Sequence, residues 1–546
     1  MTGAATGWPG AVLALLEWVW AACGTLCLAA AAAALLRPRL FARAKDALEG
    51  LDGRPVLRWA PAAVLGLGIP LLVCLWQLAR YAIYEPGTDA AIMANAAWNF
   101  AHGHGWRSSI LSEGSYFGVH FAFTYLLLSP LLRVWPDTTA LVLVQAVCVG
   151  STVFGVYLLG RLHCRRAWAA WLMALLAWSH PFFHQLAGQL IDNSMLALPL
   201  FVWSAYCWES GRRRTSVALA LLLLTTREQA PFLLAGFGLL LAAAGGSVRR
   251  RLAGLGIVAG AAVVWGAEMW VIRRAAQGWA HPMSYWEPLY GVYGRSLEDV
   301  LGNAVRRPWT FAAALVWPPE RLWTPATAFL SLGFLPLASG ACLIPALAVW
   351  LPHQLAVDAE FHALSGHYAN FVAGPLLWAS VHGLRRVLRA LPREALRLAA
   401  ILLLVLCAAS FFLTARFLPP ADPFSAILRP WRSAVPAALG HVPPGARLWC
   451  DDRILPDVAM RRHLKSLPWV PADRNFEDGL FVPDRVVLTV RWLRFGDPAY
   501  RGRIRRFLGE RGFVQVFRQG GVLVLANPAT RGDGAEPVER LSLPLL

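Results

Sequence analysis

"RRRLAGLGIVAGAAVVWGAEMWVI", Arg249 to Ile272, sets three arginines against an apolar run, 252–272, before charge returns. Crossing a bilayer as a helix takes roughly 20 such residues. Comparable runs recur at 10–36, 60–79, 138–160, 195–208, 230–245, 326–352, 368–384 and 398–415. Of the 546 residues 57% are hydrophobic and 15% charged, whereas a soluble chain carries about a quarter charged residues. So many runs parted by arginine clusters exclude a buried soluble core. The fold class is a polytopic α-helical membrane protein.

The net charge of +18 comes from arginine, because Lys45 and Lys465 are the two lysines. Basic clusters lie at 37–58, 161–166, 212–214, 249–251 and 385–397. Their spacing between apolar runs follows the positive-inside pattern, which places them in the cytoplasm. Their partners are then anionic membrane lipids, and no nucleic-acid role follows. With this orientation the N-terminus starts outside, and 80–137, 181–194, 273–325, 353–367 and the chain after 416 also face outside. About 11 transmembrane helices are expected. Residues 215–247 must hold a rising helix, a polar break at "TTREQ" (225–229) and a descending helix. Residues 326–352 need two short helices meeting near 338–340. The stretch 117–133, "FGVHFAFTYLLLSPLLR", resembles a span but must be re-entrant or peripheral.

Four sections follow: 1–58, a first helix and basic cytoplasmic loop; 59–416, the transmembrane domain with outer loop 80–137; 417–528, an extracytoplasmic α/β domain; and 529–546, a disordered tail. The run 10–36 has no basic start and is too long for a signal peptide, so it reads as a retained helix. In the third section "ARLWCDD" and "DRVVLTV" read as strands, and "PDVAMRRHL" and "YRGRIRRFLGERG" as helices. "FVQVFRQGGVLVLAN" reads as a hairpin turning at Gly520–Gly521. Nine cysteines occur without a CxxC, eight of them in or beside apolar runs, so neither a disulfide framework nor a zinc motif is indicated.

Chemistry is expected outside, because nine of the thirteen histidines fall on outer loops or outer helix ends. The densest polar stretch there is "YEPGTDAAIMANAAWNFAHGHG", 84–105. Pro86 and Gly87 break a helix, and Thr88 or Asp89 caps the next. Asp89 is either merely that cap or a carboxylate at the water–lipid boundary, serving as general base or holding a metal beside a phosphate. Arg227 and Glu228 interrupt an apolar stretch, either as a buried ion pair or as a planar fork for a phosphate. His120 reads as a helix histidine or as a partner facing Asp89. His367 and Tyr368 sit at an outer helix end. Trp279, Trp286, Tyr290 and Tyr293 read as an interfacial belt or a stacking platform, and His102 and His104 as loop residues or metal ligands.

"TDAAIMANAAWNFAHGHGWRSSI", followed by "GVHFAFTYLLLSPLLRVWPDTTALVLVQAV", resembles the bacterial membrane proteins of the domain-of-unknown-function 2079 family. "LTTREQAPFLLAGFGLLL" and "SGHYANFVAGPLLWASVHGL" are similar to further motifs of that family, in order, over roughly residues 70–525. The resemblance implies a GT-C-like glycosyltransferase fold, a polyprenyl-phosphate sugar donor at the outer face and a carboxylate in the first outer loop. It implies Asp89 as that catalytic carboxylate with His120 beside it. It also implies Arg227, Glu228, His367, Tyr368 and Asn95 as substrate-binding residues. Asn95 and Gln229 depart from the family's Gln and Asp. A divalent cation is a candidate cofactor, and the metal position is unassigned. A non-catalytic protein of the same fold, binding or moving a lipid-linked precursor, is the alternative.

Overall fold

The computed structural model describes residues 8–50, 59–83, 88–111, 115–277, 286–415, 431–467, 482–489 and 498–530. The apolar runs form helices whose outward faces stay greasy. α1 (Trp8–Leu36) leads into α2 (Pro38–Gly50), which carries Arg39, Arg43 and Lys45 and buries no residue. A π-helical turn, Ala62–Gly68, continues into α3 (Ile69–Ala82). α4 (Thr88–Ala101) is almost wholly buried, and α5 (Phe123–Leu128) and α6 (Leu131–Val134) are short. The run 117–133 is therefore no span. Thr124 anchors it, with its backbone N–H on the Thr225 carbonyl at 3.1 Å.

α7 (Thr138–Cys164), capped by Asp137, crosses the full bundle, and α8 (Ala167–Ser179) returns after Arg165 turns the chain at φ +54°. Glu49 of α2 accepts the Ala167 N–H at 3.0 Å, so α2 lies across this arginine-rich end. α9 (Pro181–Gly188), α10 (Ala197–Glu209) and α11 (Arg213–Leu224) follow. As expected, residues 225–229 then break the helix before α12 (Ala230–Ala244) and α13 (Val248–Ala275). On α13, Val263 and Trp270 are 72% and 68% exposed, which suits lipid rather than water as their solvent. Among the described residues, α1, α7, α13, the helix ending at Ala82 and the helix Arg393–Ala415 are long and apolar enough to cross a membrane.

Short helices α14 (Trp286–Tyr290), α15 (Leu297–Arg306) and α16 (Pro308–Val316) precede α17 (Trp323–Ser331) and α18 (Leu335–Ala338). The expected break falls at Gly340, φ +62°, where Arg386 donates to the Ala338 carbonyl at 3.2 Å and occupies the space a Cβ would need. α19 (Ile344–Leu355), α20 (Ala359–His362), α21 (Asn370–Ala390) and α22 (Arg393–Ala415) complete the bundle.

The C-terminal strands are β1 (Leu448–Cys450), β2 (Leu464–Ser466), β3 (Arg485–Thr489), β4 (Val514–Gln519) and β5 (Val522–Ala526). They form one sheet in the order β2-β1-β3-β5-β4, with β1 parallel to β2 and β3 and the other pairs antiparallel. The hairpin turns at Gly520–Gly521, both at positive φ. "PDVAMRRHL" corrects the expectation of a helix: it makes a single 3-10 turn at Leu455–Val458 and then runs out to β2. Its carbonyls are taken by the membrane part. Asn95 donates to the Ala459 and Arg461 carbonyls at 2.8 and 2.7 Å, and Thr138 to that of Pro456 at 2.7 Å. One apolar core accordingly runs from α4 into β1 and helix Trp431–Leu439.

Within the sheet, Asp451 is 1% exposed and accepts hydrogen bonds from Thr489 Oγ1 and the Arg453 N–H. Burial, with Asp452 beside it, pushes its carboxyl up to about 7. A folded-state value above the unfolded one contributes stability that is complete below about pH 4 and is lost as pH rises towards 7. Stability of this region should therefore fall between pH 4 and 7, by up to about 1.4 kcal/mol per pH unit. Asp451→Asn should flatten that slope. Fluorescence of buried Trp449 in β1 during denaturant titrations at pH 5 and pH 8 reads it out, and an unaltered slope in the variant refutes the assignment.

Candidate functional site

A hollow of about 720 Å³ opens at the end of the bundle that carries α4 and the sheet. Trp76 and Arg80 of α3, Asp89 of α4, Gln185 and Gly188 of α9, and Trp323 of α17 line it. Gly188 is required there: a Cβ would lie 2.9 Å from the Trp76 ring and 3.1 Å from the Arg80 guanidinium. Asp89 stands in the first turn of α4 with its side chain exposed to the hollow. Residues 84–87, the expected helix break, lie outside the described residues. Although its oxygens meet open space, protein rings that space. Burial raises the affinity of the Asp89 carboxyl for its proton, Asp192 raises it further, and Arg227 and His120 pull it back. Its proton affinity stands above that of an ordinary carboxylate.

Behind this wall four loop segments converge. Arg227, 4% exposed, sets Nη1 3.9 Å from Asp192, Nε 3.5 Å from Glu228 and Nη2 3.0 Å from His120 Nε2. His120 Nδ1 lies 3.0 Å from Glu228, whose other oxygen accepts the Phe121 N–H at 3.3 Å. These partners fix one tautomer: Nδ1–H donates to Glu228 and Nε2 accepts from Arg227. Burial pushes the Glu228 carboxyl up, but His120 and Arg227 outweigh it and hold it at about 2.

Asp192 accepts hydrogen bonds from the backbone and hydroxyl of Ser194 and lies 3.7 Å from His367 Nδ1. Burial drives His367 down to about 4, so the ring is neutral at pH 7. Burial also favours a protonated Asp192; Arg227 and Ser194 override it and keep the carboxylate ionised. Asn370, at the start of α21, ties the assembly together by donating to Ser194 Oγ at 2.9 Å and to the His367 carbonyl at 2.8 Å.

The sequence-derived residues thus divide. Asp89 reaches the hollow, and Arg227 lies close enough for its charge to act on it. His120 does not present a free basic nitrogen, because Arg227 occupies its Nε2; it links Glu228 to Arg227. Asn95 is displaced from the substrate role. It is fully buried, donates to the two sheet-side carbonyls and accepts from the Ser109 N–H at 2.9 Å. The Tyr368 ring packs at a tilt against Phe361 and His367, with centroids 4.0 and 4.2 Å away. His102 bonds the Trp98 carbonyl at 2.9 Å and stacks on its ring. Tyr290 donates to the Pro352 carbonyl and Tyr293 packs on Phe311, while Trp279 and the Trp286 side chain fall outside the described residues.

Two residues were missed. Asp192 was signalled by an acid beside Asn193 and Ser194 in an otherwise apolar outer segment. Arg80 was signalled by a lone cation in the last turn of an apolar helix.

The fold is GT-C-like. The crystal structure of ArnT from Cupriavidus metallidurans bound to undecaprenyl phosphate superposes with a TM-score of 0.50 at 14% identity, covering 86% of this chain and 98% of that one. Apo ArnT from the same organism gives 0.46 at 13% identity, covering 85% and 98%. The chain belongs to the DUF2079 family of predicted membrane proteins, whose model matches residues 81–515. Comparison with curated proteins gives no match.

Proposed function

We propose that the chain is a glycosyltransferase that takes a sugar from a polyprenyl-phosphate carrier at the extracytoplasmic face of a bacterial inner membrane. The observation that carries this reading is the shared hollow: a carboxylate of raised proton affinity, Asp89, and a cation, Arg80, line one space. Asp89 takes the proton of the acceptor hydroxyl or amine as that atom bonds to the anomeric carbon. The bond from that carbon to the phosphate oxygen breaks, and the phosphate leaves as an anion beside Arg80. Trp76 and Trp323 supply apolar and aromatic wall. Arg227, held between two carboxylates, acts on Asp89 through its charge rather than on the phosphate by contact. The lipid carrier named for the ArnT structure supports a polyprenyl phosphate as the partner. The arginines at the far end of α7, α10 and α21 support an orientation with the hollow outside.

Purified protein incubated with a panel of radiolabelled polyprenyl-phosphate sugars should release polyprenyl phosphate and label an acceptor from envelope extract. Saturable carrier binding with no turnover of any donor would leave the non-catalytic lipid-binding alternative in its place.

A further inference from the structure

At the opposite end of the bundle three helices each offer one ligand to a common point. His163 comes from the last turn of α7, Glu209 from the end of α10 and His382 from α21. The 13 residues of α10, Ala197–Glu209, put this point about 18 Å from its Asp192 end at ~1.5 Å per step. His163 Nε2 lies 2.6 Å from one Glu209 oxygen and His382 Nε2 3.0 Å from the other. The imidazole centroids are 4.4 Å apart, and one ligand atom from each residue falls within 4.8 Å of the others. Among the described residues no other trio of His, Cys, Asp or Glu is so arranged.

We propose that His163, Glu209 and His382 form a divalent-cation site, with Zn²⁺ as the best-matched ion. Two neutral imidazoles and one carboxylate are a borderline-soft set that suits zinc and leaves a fourth position for water. A tetrahedral ion with ligand bonds of ~2.0–2.1 Å spaces its ligands by roughly 3.4 Å. His163 Nε2 must therefore draw back from its Glu209 oxygen, while ligand atoms lying up to 4.8 Å apart must close towards that spacing. Trp378 Nε1 donates to Glu209 at 2.9 Å and orients the carboxylate as an outer partner would. The side chains keep 13–16% exposure, so the point is walled by protein yet reachable. Arg385 Nη1 stands 3.4 Å from His163 Nδ1. Metal on Nε2 moves the ring proton to Nδ1, so Arg385 must swing away, and its charge opposes the ion. This site does not rest on the sugar-transfer reading.

The test uses the tag-free full chain in detergent, stripped with chelator and titrated with Zn²⁺, and with Co²⁺ for its visible spectrum. One equivalent should bind, with intense cobalt bands typical of four or five ligands. Glu209→Gln and His382→Gln should each weaken binding at least tenfold, while Asp192→Asn leaves it unchanged. Arg385→Ala keeps all three ligands and should tighten binding several-fold, so the proposal stays testable even where a ligand variant fails to fold. Absence of saturable binding, binding indifferent to the Glu209 and His382 variants, or Arg385→Ala with unchanged or weaker affinity overturns it.

Discussion

Asp89→Asn should lower sugar transfer by 10²–10⁴-fold, the span usual for loss of a positioned general base, while carrier binding and melting temperature stay near those of the parent. The substitution is nearly isosteric, and the side chain faces the hollow rather than a packed wall, so little folding energy is at stake. On the proposed reading, the parent protein should show a companion pH dependence. A base works only when deprotonated, so kcat/KM should rise with pH through the Asp89 transition, and that midpoint should lie above the ordinary carboxylate range. Asp192→Asn removes a charge that raises Asp89's proton affinity and should shift the midpoint down. Asp89→Glu, longer by one methylene, should restore part of the rate. Full turnover in Asp89→Asn excludes the mechanism even if Arg80 variants are inactive.

Much of this architecture is legible in the chain itself, because bilayer thickness and arginine placement act on local sequence. Spans such as 138–160 and 252–272 lie within α7 and α13 because nothing but a helix satisfies so long an apolar backbone in lipid. The break at 225–229 was legible for a similar reason: an arginine and a glutamate inside an apolar stretch demand partners. Their partners were not legible. Asp192 meets Arg227 across separate loops, and no periodicity encodes that meeting. Asn95 shows the opposite failure. The family resemblance implies a substrate contact for it, but four positions along a helix return to nearly the same face whereas the six from Asp89 do not. Asp89 and Asn95 accordingly face different neighbours, the hollow and the sheet. "PDVAMRRHL" has helical composition, yet the carbonyls that a helix would have paired are bonded by Asn95 and Thr138. At the opposite end of the bundle, the joining of His163 and His382 is not legible, because Glu209, which links them, sits at the close of an otherwise apolar helix.

Arg227→Gln should cost about 3–5 kcal/mol of stability at neutral pH, the usual consequence of leaving buried carboxylates without their cation. The guanidinium stands between Asp192 and Glu228 and also closes the His120 tautomer, so its loss uncovers two negative charges and one acceptor nitrogen. Pairing Arg227→Gln with Asp192→Asn should recover a sizeable part of the loss, because one uncompensated charge goes. Mutants that touch one network are expected to couple rather than add. Arg227→Lys should fall between, since one ammonium cannot meet three partners lying in different directions. Lowering the pH should narrow the gap between Arg227→Gln and the parent, as the stranded carboxylates take up protons. Thermal melts of the four proteins in one detergent measure all of this. The result to set against it is an Arg227→Gln chain that melts with the parent but needs far more carrier to reach half-maximal rate. That outcome would return Arg227 to the phosphate, and it would mean that the two carboxylates are satisfied by something other than the arginine between them.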